Sequence, residues 1–305
     1  MKLGFSANHI WHGSSVVEVA KLAEDVGFES MWMGEHIIIP VEIANPDRHG
    51  VQLPENYRHM PDPFVWLTAA AVATRNLNLG FNICLVPQRD PLVLAKTVAS
   101  LDQISQGRVL FGVGAGWIHE EADIMGVPIK RRWAKTIEHV RALKTLWTEE
   151  QPSFEGEFVS FPKVYSYPKP FRRPHPPVLI GAGDHNTDNA RVLQRVVEDG
   201  DGWLPVFLSP QQMREELGRL RELCDEHGRD YDVLDISLLV PAINLGVGER
   251  PSFFGDHAAD PHEARDLIAE YEDAGVQRIL VGLVDMTRDG GLKTVEEAAK
   301  GLGLI

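Results

Sequence analysis

The chain has 305 residues, with 30 lysines and arginines against 44 aspartates and glutamates, so its formal charge is −14. Hydrophobic residues make up 44% and charged residues 24%, proportions of a folded globular protein and too apolar for a disordered one. The acidic balance argues against a nucleic-acid partner, which needs clustered Lys and Arg, and against an anionic membrane surface, while leaving room for a local basic pocket.

Two cysteines, Cys84 and Cys224, do not make a disulfide framework, and there is no C-x-x-C. Met1-Lys2-Leu3-Gly4-Phe5 has no long apolar run behind it, so no signal peptide is expected. No uncharged stretch reaches the ~18 residues of a membrane helix. The expected compartment is the cytoplasm.

In chain order, short apolar runs predict eight strands: Leu3–Ser6, Ser30–Met33, Leu77–Val86, Val109–Val113, Val178–Ile180, Trp203–Val206, Ile236–Ile243 and Arg278–Val284. Near-continuous apolar runs are what parallel strands covered on both faces require. Helix signals fill the intervals. Ser15-x-x-Glu18 reads as a capping box, and Gly27 closes that helix. Asp62-Pro63 and Asp90-Pro91 each place a capping side chain before a proline at the first helical position. Ser209-Pro210-Gln211-Gln212 and Asp260-Pro261-His262-Glu263 repeat the device. Trp133, Ile137, Val140 and Trp147 have helical spacing, and Thr294-x-x-Glu297 is expected to open the last helix.

Eight alternations of strand and helix imply a parallel sheet with helical crossovers, and eight is the number that closes a (β/α)₈ TIM barrel. The alternative, an open doubly wound sheet, usually carries a glycine-rich fingerprint after its first strand. Here that position reads Asn8-His9-Ile10-Trp11-His12-Gly13. A single domain over residues 1–305 is expected, with long loops at about 40–61 and 150–177. The second of these holds seven prolines. Long loops inside compact domains are often lids or binding loops.

Four pieces are candidates for chemistry. Gly112-Val113-Gly114-Ala115-Gly116-Trp117 ends the fourth strand, where a barrel places its site. It serves either close ligand approach or a tight bend. Gly181-Ala182-Gly183-Asp184-His185-Asn186 ends the fifth strand and opens a helix. It is either a phosphate cradle or a plain capped turn. Glu35-His36 follows the second strand, where His36 is either an acid–base group or a structural bridge. In the third strand Asn82 interrupts the apolar run, which suggests a bulge, and Cys84 reads as a small buried hydrophobe. Other classes fall away. There is no H-x-H, no G-x-S-x-G and no Walker lysine, and His257 and His262 are five apart, not the four of a helical metal pair. Lys130-Arg131-Arg132 is either a solvated helix start or counter-charge for an anionic tail.

Leu85-Val-Pro-Gln-Arg-Asp-Pro-Leu-Val-Leu-Ala-Lys96, Leu101-Asp102 and Gly107-Arg-Val-Leu-Phe-Gly-Val-Gly-Ala-Gly-Trp117 together resemble the luciferase-like monooxygenase superfamily, and most of all its bacterial deazaflavin-dependent branch. Trp32-x-x-Glu35-His36, Asp62-Pro63, Arg132 before a helix bearing Glu138, and Val178-Leu-Ile-Gly181-Ala-Gly183 extend the resemblance along nearly the whole chain. It implies a barrel with an insertion, a homodimer, and a cofactor at the C-terminal mouth. That cofactor is coenzyme F420 for hydride transfer, or FMN for oxygenation with a separate flavin reductase. A barrel that binds flavin without catalysis is a third reading. The resemblance places a cis non-proline peptide at Ile83–Cys84, against the ring. It assigns Gly114, Ala115, Gly116, Gly181, Ala182, Gly183 and Asn186 to the cofactor. His36 becomes the leading proton donor. His9, Trp11, Glu35, Trp117 and Glu120 are expected around the substrate, together with the 40–61 loop. Trp117 stands where the family's sugar-phosphate dehydrogenases carry a carboxylate, which argues against a sugar-phosphate substrate.

Overall fold

The computed structural model of the chain describes residues 1–7, 15–43, 53, 55–183, 189–245, 261–283 and 291–305. Strands β1 (Lys2–Ser6), β2 (Ser30–Met33), β3 (Asn78–Phe81), β4 (Cys84–Leu85) and β5 (Val109–Gly114) come first. A small antiparallel hairpin, β6 (Phe154–Glu155) and β7 (Ser160–Phe161), follows. Then come β8 (Val178–Ile180), β9 (Gly202–Trp203), β10 (Asp235–Leu245) and β11 (Arg278–Leu283). Outside the hairpin the pairing is parallel and runs β3-β2-β1-β11-β10-β9-β8-β5-β4. β5 also pairs with β3, through Leu79 with Val109 and Gly80 with Leu110. That last pairing closes the ring. β3 and β4 are two halves of one strand, so eight parallel strands form a closed barrel and the open sheet is excluded.

Helices α1 (Val16–Asp25), α2 (Pro63–Ala73), α3 (Pro91–Ser105), α4 (His119–Ile124), α5 (Arg132–Thr148), α6 (Ala190–Asp199), α7 (Pro210–Glu226), α8 (Pro261–Asp273) and α9 (Gly291–Leu302) surround it. Asp62 and Asp90 cap α2 and α3, each accepting from two backbone N–H groups, and Ser209 with Gln212 forms a full capping box on α7. Two helix expectations fail. Ser15 sits at the N-cap of α1 but makes no side-chain cap bond, so that helix is held by its buried Val19, Ala20 and Ala23. Thr294 is a buried residue inside α9, which starts three positions earlier at Gly291. The Asp260 cap lies outside the described residues.

Two strand expectations also shift. Leu77–Val86 is broken in the middle by a cis peptide at Asn82–Ile83. This corrects the expected Ile83–Cys84 by one residue; a cis bond without proline leaves no residue-type mark of its position. Trp203–Val206 shortens to β9, because Pro205 cannot donate to the ladder, and Val206 makes only an isolated bridge to Leu239.

Residues 44–52 and 54 of the first long loop lie outside the described residues; Glu55–His59 forms a turn of 3₁₀ helix. The second loop packs against α3 and α5. Glu138 on α5 accepts from the backbone of Glu157, Phe158 and Val159. Asp102 near the end of α3 accepts from Arg172 N, and Lys169 donates to Leu146 O near the end of α5. The segment is thus tied to the outside of the barrel, its end toward the helix C-termini and its hairpin toward Arg131 at the start of α5, which pairs with Glu157 and lies over Phe158. No described helix is long and apolar enough to cross a membrane.

The barrel interior is plugged by Trp32, Leu110, Leu179, Leu204 and Leu280. Trp32 is accommodated by Gly80, where a Cβ would lie 2.0 Å from its ring. At the floor, Arg278 is 2% exposed. Its guanidinium donates to Glu29 at 2.9 and 3.0 Å, to Asp235 at 2.7 and 2.8 Å and to Ser237 at 2.6 Å. Burial alone would raise the Glu29 carboxyl, but the bonds from Arg278 outweigh it and hold it below the usual range. Replacing Arg278 by leucine should cost about 3 kcal/mol in urea unfolding, since it leaves two largely buried carboxylates unpaired. A depressed carboxylate stabilises above its unfolded pKa and loses that contribution as pH falls through its folded one. The gap between wild type and Arg278→Leu should therefore narrow on acidification.

Candidate active site

Strand β2 ends in Gly34-Glu35-His36, and its last two side chains engage different partners. Glu35, 4% exposed, reaches into the strand break. Its Oε2 accepts from Leu85 N at 2.7 Å and its Oε1 from Arg89 Nε at 2.7 Å and from Arg89 Nη2. Arg89 also donates to Asp62 at 2.9 Å and lies 4.6 Å over the Phe64 ring. One carboxylate thus joins the exit of β2 to β4 and, through Arg89, to the start of α2. Glu35, expected beside the substrate, is committed to this clamp. Cys84 is fully buried, and burial followed by the Glu35 carboxylate pushes its thiol well above the ordinary range. Of the expected pair Ile83 and Cys84, only Ile83 retains exposure.

His36 Nδ1 lies 2.8 Å from Glu121 Oε2 on α4, and the two side chains are 6% and 0% exposed. Trp117 meets the imidazole edge-on at 6.0 Å, and Tyr57 lies 5.5 Å away on the 3₁₀ turn. A proton on Nδ1 shared with a carboxylate leaves Nε2 as the nitrogen for other chemistry. Glu121 Oε1 is buried without a hydrogen-bond partner among the described residues. Glu120 is its half-buried neighbour.

The glycines of the two turns have a packing role. A Cβ on Gly114 would lie 1.8 Å from Ile83 Cδ1, and one on Gly181 would lie 2.2 Å from Ile83 Cγ2. Both make room for the Ile83 side chain, which packs onto the barrel plug and forms a partly exposed apolar floor. Beside it, Asn82 Nδ2 donates to Ser6 at 3.0 Å while Asn82 Oδ1 is buried without a partner. Gln88 is 8% exposed, and neither atom of its amide has a partner among the described residues. Its Nε2 would lie 3.6 Å from a Cβ on Gly116, a residue with φ of 78° behind the buried Ala115. Gly183, with φ of 103°, packs against Asn189, and Ala182 O accepts from Trp203 Nε1 at 2.8 Å. His9, Trp11 and Asn186 lie outside the described residues.

Glu121, Tyr57, Gln88 and Arg89 were not singled out as site residues by sequence reasoning, and Asn82 was read only as the mark of a bulge. Glu121 had a signal: Ile118 and Ala122 mark the buried stripe of α4, and Glu121 lies on it. Tyr57, in an aperiodic proline-rich segment, had none.

The luciferase-like monooxygenase family model matches residues 11–245. The chain belongs to that family. It is 32% identical over 290 residues, 94% of this chain and 93% of the other, to an uncharacterized protein of Mycobacterium tuberculosis. Monooxygenase RslO1 from Streptomyces bottropensis superposes with a TM-score of 0.77 at 24% identity, over 99% of this chain and 98% of that one. An F420-dependent secondary alcohol dehydrogenase in complex with an F420-acetone adduct gives the same TM-score at 20% identity and the same coverage. Named relatives include F420-dependent and flavin-dependent enzymes, and this chain is an oxidoreductase or monooxygenase of that class.

A buried thiol whose anion is disfavoured is a poor nucleophile. Iodoacetamide at pH 8 should leave Cys84 unlabelled in the folded protein and alkylate it in urea, as read by peptide mass spectrometry.

Proposed function

We propose that the chain is a cytoplasmic F420-dependent oxidoreductase that moves a hydride between the deazaflavin and a small organic substrate at the barrel mouth. The observation that carries this reading is the buried His36–Glu121 pair under Trp117 and Tyr57, at the same strand exits as the Ile83 floor. The residues present suit a flat, amide-bearing ring. Ile83 offers an apolar surface, and the orphaned Asn82 Oδ1 and Gln88 amide offer hydrogen bonds at its margin. The Gly181-Ala182-Gly183 turn before α6 offers backbone to the phosphate, in line with the assignment of Gly114, Ala115 and Gly116 to the ring's surroundings. When bound, the deazaflavin supplies or accepts hydride at C5.

The chain's own part is acid–base. His36 holds a proton at the substrate oxygen as charge develops there, or takes it when the reaction runs the other way. Glu121 fixes the Nδ1 proton and stabilises the imidazolium. Trp117, Tyr57 and Ile83 keep water from the reacting carbon. Glu35 serves this arrangement indirectly, by holding the β2 exit.

Titration of tryptophan fluorescence with F420 and with FMN tests the cofactor. Saturable quenching with anaerobic turnover of reduced F420 supports the reading; oxygen uptake driven only by reduced FMN and a reductase replaces it. His36→Ala should lower kcat by about 10²–10⁴-fold. Glu121→Gln should lower it about tenfold and move the pH profile, with F420 affinity unchanged in both; undiminished turnover in His36→Ala would remove the histidine from this role.

A homodimer is part of the same proposal. Helix α2 carries no charged residue and leaves Val65 and Val72 67% and 75% exposed, beside exposed Leu92, Val93 and Ile104 on α3. A second copy covers this face best, since the two helices offer a self-complementary apolar surface. Val65→Lys with Val72→Lys should shift the protein from dimer to monomer in sedimentation velocity.

A further inference from the structure

His36 offers little of itself at the mouth. Its side chain is 6% exposed, and Nδ1 is engaged by Glu121 at 2.8 Å. One ring nitrogen is left for a substrate, and only a small part of the ring meets solvent. That geometry receives a single oxygen. The side chains around it are apolar and come from separate elements. Ile37 follows the histidine directly and is 40% exposed. Ile124 stands three residues after Glu121 on α4, hence on the same flank of that helix, and is 64% exposed. The half-buried rings of Trp117 and Tyr57 lie against the imidazole, and Ile83 forms the floor.

A single exposed aliphatic side chain needs no explanation on a folded surface. Ile37 and Ile124 differ because each adjoins one half of the buried His36–Glu121 pair. A molecule that brings an oxygen to His36 lays the rest of its body along them. A polyol would press hydroxyl groups against Ile37, Ile124 and Ile83, which neither donate nor accept, and would lose the hydrogen bonds those groups make in water. An anionic group would meet Glu120 and Glu121, in the first turn of α4 just after Trp117, on a chain of net charge −14. An uncharged hydrocarbon body meets neither obstacle, and each methylene covered here is removed from water.

We propose that the substrate is a lipophilic, uncharged carbonyl compound or the corresponding alcohol, with one oxygen at His36 and a hydrocarbon body over Ile37 and Ile124. The inference rests on the hydride-transfer reading for the reaction, and it makes Ile37 and Ile124 specificity-determining residues. In the oxidative direction hydride leaves the carbinol carbon for the deazaflavin, the hydroxyl proton passes to His36 Nε2 and the carbonyl double bond forms.

Calorimetric titration of the protein saturated with oxidised F420, a complex that cannot reduce a ketone, tests it with four probes. These are the straight-chain methyl ketones of four, six and eight carbons, and the eight-carbon ketone bearing a terminal carboxylate. Wild type should bind about threefold more tightly for each added methylene, and the carboxylate should weaken the eight-carbon ketone about tenfold. Ile37→Ser with Ile124→Ser, both surface substitutions, should cut the gain from four to eight carbons about tenfold; Ile37→Val with Ile124→Val should keep most of it. The kcat/KM for anaerobic oxidation of reduced F420 should follow the same order. A flat series, a carboxylate bound as well as its parent ketone, or a gain that survives in the serine variant overturns the proposal, as does a protein that binds no ketone. If the series holds in binding but reduced F420 is never oxidised, the apolar mouth stands and the hydride-transfer reading fails. If turnover occurs with a flat series, that reading stands and this proposal fails. If F420 does not bind, the series is read with oxidised FMN in its place, and the same outcomes decide.

Discussion

Glu35 is the residue on which the arrangement of the mouth depends. A carboxylate that is almost wholly buried is unfavourable unless it is fully paired, and this one is met by a backbone N–H and by two nitrogens of one guanidinium. The pairing determines where the second half of the broken strand sits relative to β2. It also determines where the next residue goes. With Glu35 committed to β4 and Arg89, His36 is left to meet Glu121 from a separate element. The acid–base pair and the strand break are therefore positioned by the same interaction, and neither can move far without the other.

The barrel was legible in the sequence because burial on both faces removes polar residues from a strand. Ser30–Met33 and Val178–Ile180 are strands at the residues their composition predicts. The details that were not legible share a cause: each depends on a partner distant in sequence. Glu121 and Glu120 are equivalent by residue type, and only the direction of a six-residue helix separates them. The cis bond at Asn82–Ile83 has no proline to announce it. Trp203–Val206 looked like a continuous strand until Pro205 was weighed as a missing donor.

The glycines carry a packing role that their place at strand ends did not announce. Gly114 and Gly181 were noticed because strand ends are where ligands approach. Their missing side chains make space for Ile83, an isoleucine inserted across the top of the barrel. Side chain at 83 and absence of side chain at 114 and 181 are one packing solution contributed by three different strand exits. A larger residue at either glycine would displace the floor itself, before any ligand came into question.

The buried polar groups of the barrel are not all satisfied within the described residues. At the bottom of the barrel every charged nitrogen of Arg278 has an acceptor, while Asp102 Oδ1 near the end of α3 is buried without a partner among the described residues. At the mouth, Asn82 Oδ1, both atoms of the Gln88 amide and one oxygen of Glu121 are buried with hydrogen-bonding capacity unused among the described residues. Buried polar groups in folded proteins are nearly always satisfied. In the proposed reading, a bound cofactor meets the groups at the mouth.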